Sequence, residues 1–190
     1  MKIYQDLDGC VADFVRGVAE RIYELAHTDI ETIESKTLRR GMRRYLEVFD
    51  KDTILTSEDM GHKLVKPLLY KIATTDKFFY NLKIMDGGLW DFIKDYKLEF
   101  LTAACGTFAY EDKAQWCKDV LGSDERCFVV GKKALKVLWC EEGDVLIDDH
   151  KGTIESWNDA GGNGFLWTGK EGGDVVALKV FLDNLGFTTK

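Results

Sequence analysis

The stretch Asp6-Leu7-Asp8-Gly9-Cys10-Val11-Ala12-Asp13-Phe14 lies near the start of a 190-residue chain. The segment Lys2 to Leu7 is short and ends among acidic residues and Gly9. It reads as a β-strand running into a loop. Asp6 and Asp8 then fall at the carboxyl end of a strand, the edge where ligands bind in open parallel sheets. Taken alone, an acidic pair of this kind is weak evidence, because solvated acidic turns are common. Its weight depends on whether the rest of the chain supplies the same sheet and more chemistry on the same edge.

Outward from that loop, Val15, Val18, Ile22 and Leu25 recur at helical spacing. From about Ala12 to Lys83 the pattern is helical and mixed, with no clear strand. Arg39, Arg40, Arg43 and Arg44 share one helix face there, ordinarily a solvated one. The character changes after Lys83. Asp86-Gly87-Gly88 is a turn, and Leu89, Phe92, Ile93 and Tyr96 follow at helical spacing. Leu98 to Leu101 reads as a buried strand ending at Thr102. A helix from about Tyr110 to Leu121 is expected next. Cys127 to Val130 and Val145 to Ile147 read as further strands. Ile154 and Trp157 mark a helix, Phe165-Leu166-Trp167 a short strand, and Val175 to Leu185 a last helix. Short apolar strands alternating with helices predict an α/β fold, a Rossmann-like three-layer core with a mostly parallel sheet. The long helical stretch exceeds one crossover and is expected to form a small inserted cap. The expected division is 1–15 and 83–190 for the core and 16–82 for the cap.

Composition narrows the function classes. Apolar residues make up 45% and charged residues 31%, a soluble globular balance with enough apolar mass for a core. The net charge of −7 disfavours stable binding of nucleic acid, whose backbone it repels. A small phosphorylated ligand stays compatible, since a metal and a few lysines reverse the sign locally. The five cysteines are odd in number and widely spaced, with no C-x-x-C pair, which argues for reduced thiols. The three histidines are scattered, so no zinc site is expected. No apolar run reaches membrane-spanning length and no signal peptide fits the N-terminus, so a cytoplasmic location is expected.

Asp6, Asp8, Thr102, Lys133 and the pair Asp148-Asp149 each lie just past the carboxyl end of a predicted strand. Parallel strands would bring them to one edge. Crowded carboxylates repel unless a hard cation sits among them, and Mg²⁺ favours a few carboxylates, water and a substrate phosphate. A carboxylate can attack phosphorus, and a second acid can protonate the leaving oxygen. A hydroxyl and an ammonium can hold the phosphoryl oxygens.

The stretch from Asp6 to Phe14 resembles the first motif of the haloacid dehalogenase (HAD) superfamily. More narrowly, it is similar to the 5′(3′)-deoxyribonucleotidase group. Phe78-Phe79-Tyr80-Asn81-Leu82 with Asp86-Gly87-Gly88 resembles that group's return from cap to core. Leu101-Thr102 resembles the second motif, Tyr110-Glu111 with Lys113 and Trp116 the helix after it, and Val145 to Asp149 the acidic fourth motif. The resemblance implies a helical cap over the site, Asp6 as nucleophile and Asp8 as general acid/base. It implies Mg²⁺ held by Asp6, the Asp8 main-chain carbonyl and the Asp148-Asp149 pair, with Thr102 holding the phosphoryl group. Phe14 would line the nucleoside pocket. For the phosphate-binding lysine, Lys133 is favoured, then Lys113, with Lys132 as the neighbour that competes with Lys133.

Two departures bear on the substrate. Relatives often carry T-S-P where this chain has Thr102-Ala103-Ala104, and the cap matches poorly. The expected activity is Mg²⁺-dependent hydrolysis of phosphomonoesters, led by 5′-nucleotidase action on (deoxy)ribonucleoside monophosphates. The alternatives are another small phosphorylated metabolite, a 3′-phosphate end, or a non-catalytic binding module on the same fold. Whether the chain forms a homodimer is left open.

Overall fold

The computed structural model describes residues 1–56, 58–122, 126–169 and 173–189. Among them, five strands form one parallel sheet: β1 (Ile3–Gln5), β2 (Leu98–Ala103), β3 (Cys127–Val130), β4 (Val145–Asp148) and β5 (Asn163–Leu166), in the order β3-β2-β1-β4-β5. The three residues of β1 occupy the centre of the sheet, with Gln5 opposite Phe100 on one side and Ile147 on the other. Every residue of β1 and β4 is buried, on both faces of the sheet, which explains why neither strand alternates apolar with polar residues. The helices are α1 (Phe14–Ala26), α2 (Lys36–Leu46), α3 (Val65–Ala73), α4 (Leu89–Ile93), α5 (Ala109–Asp119), α6 (Lys151–Asp159) and α7 (Gly173–Asn184). A parallel sheet with flanking helices is the Rossmann-like α/β arrangement expected from the alternation of strand and helix signals.

One face of the sheet packs Tyr4, Leu101 and Leu146 against Ile154 and Trp157 of α6. Tyr4 meets Trp157 edge to face at 5.6 Å, and the indole N–H donates to the Asp144 carbonyl at 3.0 Å. β5 starts at Asn163 and ends at Leu166, two residues earlier in its start than the sequence pattern suggested. Glycines at 161, 162 and 164 disguise it as a turn. Gly164 serves close packing, since a Cβ there would lie 2.8 Å from Ile154 Cγ2.

The chain divides into two compact units. One comprises Met1–Asp13, Lys83–Ala104 and Lys113–Lys190; the other comprises Phe14–Leu82 and Cys105–Asp112. The first break falls two residues earlier than the expected boundary, and the first turn of α5 groups with the helical unit. In that unit, Ser35 caps α2 by accepting from the Leu38 amide, and Leu38, Met42 and Tyr45 form its buried stripe. α2 and α3 meet at Gly41, where a Cβ would come within 2.7 Å of Leu68 Cδ2. Half-buried Phe14 heads α1, edge-on to Phe78 and stacked on Phe79. Among the described residues, no helix is long and apolar enough to cross a membrane.

Candidate active site

The acidic loop owes its shape to backbone hydrogen bonds. Asp6 extends the β1 ladder by one bond, its amide donating to the Ile147 carbonyl at 2.9 Å. The chain then turns tightly, and the Leu7 carbonyl accepts from the amides of Cys10, Val11 and Ala12. Gly9 takes a φ of +74°, and a Cβ there would sit 2.3 Å from Asp149 Oδ2. Only glycine fits a left-handed turn pressed this closely onto a carboxylate. The turn therefore sets Asp6 and Asp8 beside the end of β4.

β4 delivers Asp148 and, one residue on, Asp149. Ligand oxygens of Asp6, Asp148 and Asp149 lie within 4.8 Å of one another. Between them sits Lys136, with no solvent exposure, its Nζ 2.8 Å from Asp6 Oδ1 and 2.7 Å from Asp148 Oδ2. The other Asp148 oxygen accepts from the His150 amide at 2.8 Å. The His150 ring caps α6, its Nδ1 accepting from the Thr153 amide, so its work here is structural.

β2 and α5 supply the remaining groups. Thr102, at the carboxyl end of β2, is fully buried, and Lys113 of α5 is only 2% exposed. Lys113 Nζ donates to Asp8 Oδ2 at 2.6 Å, to Thr102 Oγ1 at 3.0 Å and to the Ala103 carbonyl at 2.7 Å. Of the residues singled out from sequence, Asp6, Asp8, Thr102, Lys113, Asp148 and Asp149 thus gather in one place. Phe14 belongs to the helical unit, where it packs with Phe78 and Phe79.

Lys136 was missed by sequence, where Lys133 was favoured. Lys133 heads a 3₁₀ segment (Lys133–Trp139) and is exposed, as is Lys132; its charge reaches Asp149 but not the buried pair. With three residues per turn, 133 and 136 share one side of that segment. A lysine alone in the run Ala134-Leu135-Lys136-Val137-Leu138-Trp139 was the available signal. Hydropathy pointed the wrong way, because Leu138 is 77% exposed while Lys136 is fully buried.

Burial and charge push the two loop carboxyls apart. Burial works against the Asp6 carboxylate, but Lys136 and Lys113 overcome it and hold Asp6 below the ordinary carboxylate range. Burial and the adjacent Asp6 charge raise Asp8 in spite of Lys113. Asp148 is also raised, by burial and then by Asp6. The Asp149 carboxyl keeps an exposed edge, yet withdrawal from water and the nearby Asp6 push it up to about 6. Burial alone would depress the Lys136 ammonium; Asp6 and Asp148 more than compensate and keep it charged. Opposite shifts on two neighbouring carboxyls, one favouring the ionised form and the other the protonated form, are the pattern of a nucleophile and an acid. Four carboxyl groups and two buried ammonium groups thus share this edge of the sheet.

No protein-family model matches the chain, and no curated protein matches it by sequence. Its structure is similar to that of a HAD-superfamily hydrolase from Ehrlichia chaffeensis, with a TM-score of 0.52 and 13% identity over 97% of this chain and 96% of that one. A hydrolase from Streptococcus pneumoniae TIGR4 aligns with a TM-score of 0.49 and 15% identity over 96% of this chain and 97% of that one. The first of these likenesses shows the fold, a Rossmann-like α/β arrangement like that of the Ehrlichia hydrolase. At such identity the likeness is one of fold, and the chemistry rests on this chain's own residues.

Proposed function

We propose that this protein is a phosphomonoester hydrolase that forms a phosphoryl-enzyme on Asp6. The observation that carries it is the cluster itself: an ionised, buried Asp6 with Lys136 on one side, and Asp8 with a raised pKa two residues away. Asp6 attacks phosphorus, and the bond from phosphorus to the leaving oxygen breaks. Asp8 gives that oxygen its proton. Asp8, now ionised, takes a proton from a water that attacks the same phosphorus, and the bond to Asp6 Oδ breaks, releasing inorganic phosphate. Thr102 and Lys113 are proposed to hold the phosphoryl oxygens, and Lys136 to hold Asp6 in place.

The donor set suits Mg²⁺: hard carboxyl oxygens from Asp6, Asp148 and Asp149, all within 4.8 Å of one another. The main-chain carbonyl of Asp8 would complete the protein's share. When bound, the ion would neutralise charge developing on the transferred phosphoryl group. Either member of the Asp148-Asp149 pair suits direct contact, but Asp148 is already held by Lys136 and His150, which favours Asp149 as the more adaptable ligand.

A small substrate is proposed, with nucleoside 5′-monophosphates first. The motif resemblance around Asp6 to Phe14 supports it. Phosphate release from a panel of ribo- and deoxyribonucleoside monophosphates, sugar phosphates and 3′-phosphate oligonucleotides, with and without Mg²⁺, tests this. Turnover of sugar phosphates with none of any nucleotide would overturn the substrate, and no Mg²⁺-dependent release from any of them would overturn the reaction.

A further inference from the structure

Gln5 is a polar residue in the middle of the sheet. It ends β1, directly before Asp6, and is fully buried. Its neighbours across the ladder, Phe100 and Ile147, are apolar, and the strand as a whole is buried. An apolar side chain would ordinarily occupy such a position. The Gln5 Nε2 donates to the main-chain carbonyl of Asp6 at 2.8 Å. Its Oε1 is buried and accepts no hydrogen bond from any described residue. The opposite placement of the amide would set its oxygen against the Asp6 carbonyl, so this orientation is the one the chemistry allows.

Both halves of that amide carry information. At Asp6 the chain leaves the sheet and enters the turn built on the Leu7 carbonyl. The Asp6 carbonyl needs a donor there, and Gln5 supplies it from inside the core. A leucine or methionine at this position would pack without needing hydrogen-bond partners. A buried amide bonded to the backbone of the proposed nucleophile, where an apolar side chain would pack, is expected where position matters.

We propose that Gln5 is a positioning residue, which clamps the Asp6 carbonyl and so fixes the direction in which the Asp6 carboxylate leaves the sheet. This rests on the reaction proposed above, in which Asp6 must meet phosphorus along one line. Misplacement of a reacting group by about 1 Å lowers rates by up to about a hundredfold.

The test uses Gln5→Leu and Gln5→Met in the full chain, with p-nitrophenyl phosphate and Mg²⁺. The expected result is a kcat lowered by about tenfold or more, KM within about threefold, and a melting temperature equal to or above that of the wild type. A kcat within twofold of wild type in both variants would overturn the role. So would melting temperatures that fall in step with kcat in both, since that marks a purely structural residue. Backbone hydrogen exchange over residues 6–12 is measured on the same proteins. If the wild type shows no turnover, the proposed reaction fails, and exchange alone decides: faster exchange over those residues in the variants supports the clamp, and unchanged exchange removes it.

Discussion

Two regions of this protein, helix α1 in the helical unit and the carboxyl edge of the sheet, handle charge in opposite ways. In the helical unit, ion pairs such as Arg16–Glu20 and Arg21–Glu24 join side chains that are about half exposed. Water and salt screen them, and each contributes about 0.2–1 kcal/mol at most. In the sheet unit, Asp6, Asp148, Lys113 and Lys136 are all at least 97% buried as side chains. Such burial costs several kcal/mol per ion unless partners compensate. Four buried charged side chains at one strand edge therefore mark a place where the fold carries an electrostatic cost, whereas the α1 pairs mark only a solvated surface.

The sharpest test of that contrast replaces Asp6 by Asn, a change of one atom type at the cluster's centre. Phosphate release should fall by about a thousandfold or more, because the amide cannot form the phosphoryl-enzyme. Wild-type turnover in Asp6→Asn would refute the mechanism outright. Next in size is Lys136→Met. Removing one partner from a buried network leaves Asp6 and Asp148 uncompensated, and the expected loss is about 3–5 kcal/mol by urea denaturation. Lys133→Ala, three residues earlier on an exposed side chain, should stay within about 0.5 kcal/mol. Equal losses for the two would show that burial at Lys136 does not matter.

Lys136 also shows where the sequence stops being legible. The strand ends were readable because β1, β2 and β4 are short apolar runs that stop at Asp6, Thr102 and Asp148. Parallel pairing then brings those stops to one edge. The lysine was not readable in this way, since its depth depends on how the 3₁₀ segment rolls against the sheet. That roll buries Lys136 and exposes Leu135 and Leu138, against every rule of hydropathy. Gln5 was hidden for a related reason: a single polar residue in a buried strand looks like ordinary variation until its bond to the Asp6 carbonyl is seen. The boundary of the helical unit was approachable because residues 14–82 lack strand signals, but the grouping of 105–112 with it is a tertiary fact with no local trace.

A smaller effect follows from Asp149. Its carboxyl is raised to about 6, so without metal the folded state holds a proton that the unfolded chain releases near pH 4. Stability from this group is present at low pH and is lost as pH rises toward and through 6. Asp8 and Asp148, also raised, act in the same direction, while Asp6, lowered, opposes them. Mg²⁺ at the proposed site would have to displace the Asp149 proton. Its apparent affinity should therefore weaken by up to about tenfold per pH unit below 6, and the rise in melting temperature on adding Mg²⁺ should be larger at pH 7 than at pH 5. A gain independent of pH would take Asp149 out of the proposed metal site.

The smallest expected effect comes from the helical unit. Arg21 and Glu24 are three residues apart on α1, with an Nη1 to Oε2 distance of 2.8 Å and side chains 48% and 61% exposed. A double-mutant cycle with Arg21→Ala and Glu24→Ala should return a coupling of about 0.5 kcal/mol or less, falling further in 0.5 M salt. The same cycle on Lys113 and Asp8, where the distance is 2.6 Å and the lysine is 2% exposed, should return a coupling several times larger and nearly insensitive to salt. The two pairs have almost the same geometry at the contact, so burial is the main variable that separates them. A helical-unit coupling as large and as salt-resistant as that of Lys113 and Asp8 would mean that contact distance, not removal from water, sets the strength of these pairs. The buried cluster would then lose its claim to be the special place in the molecule.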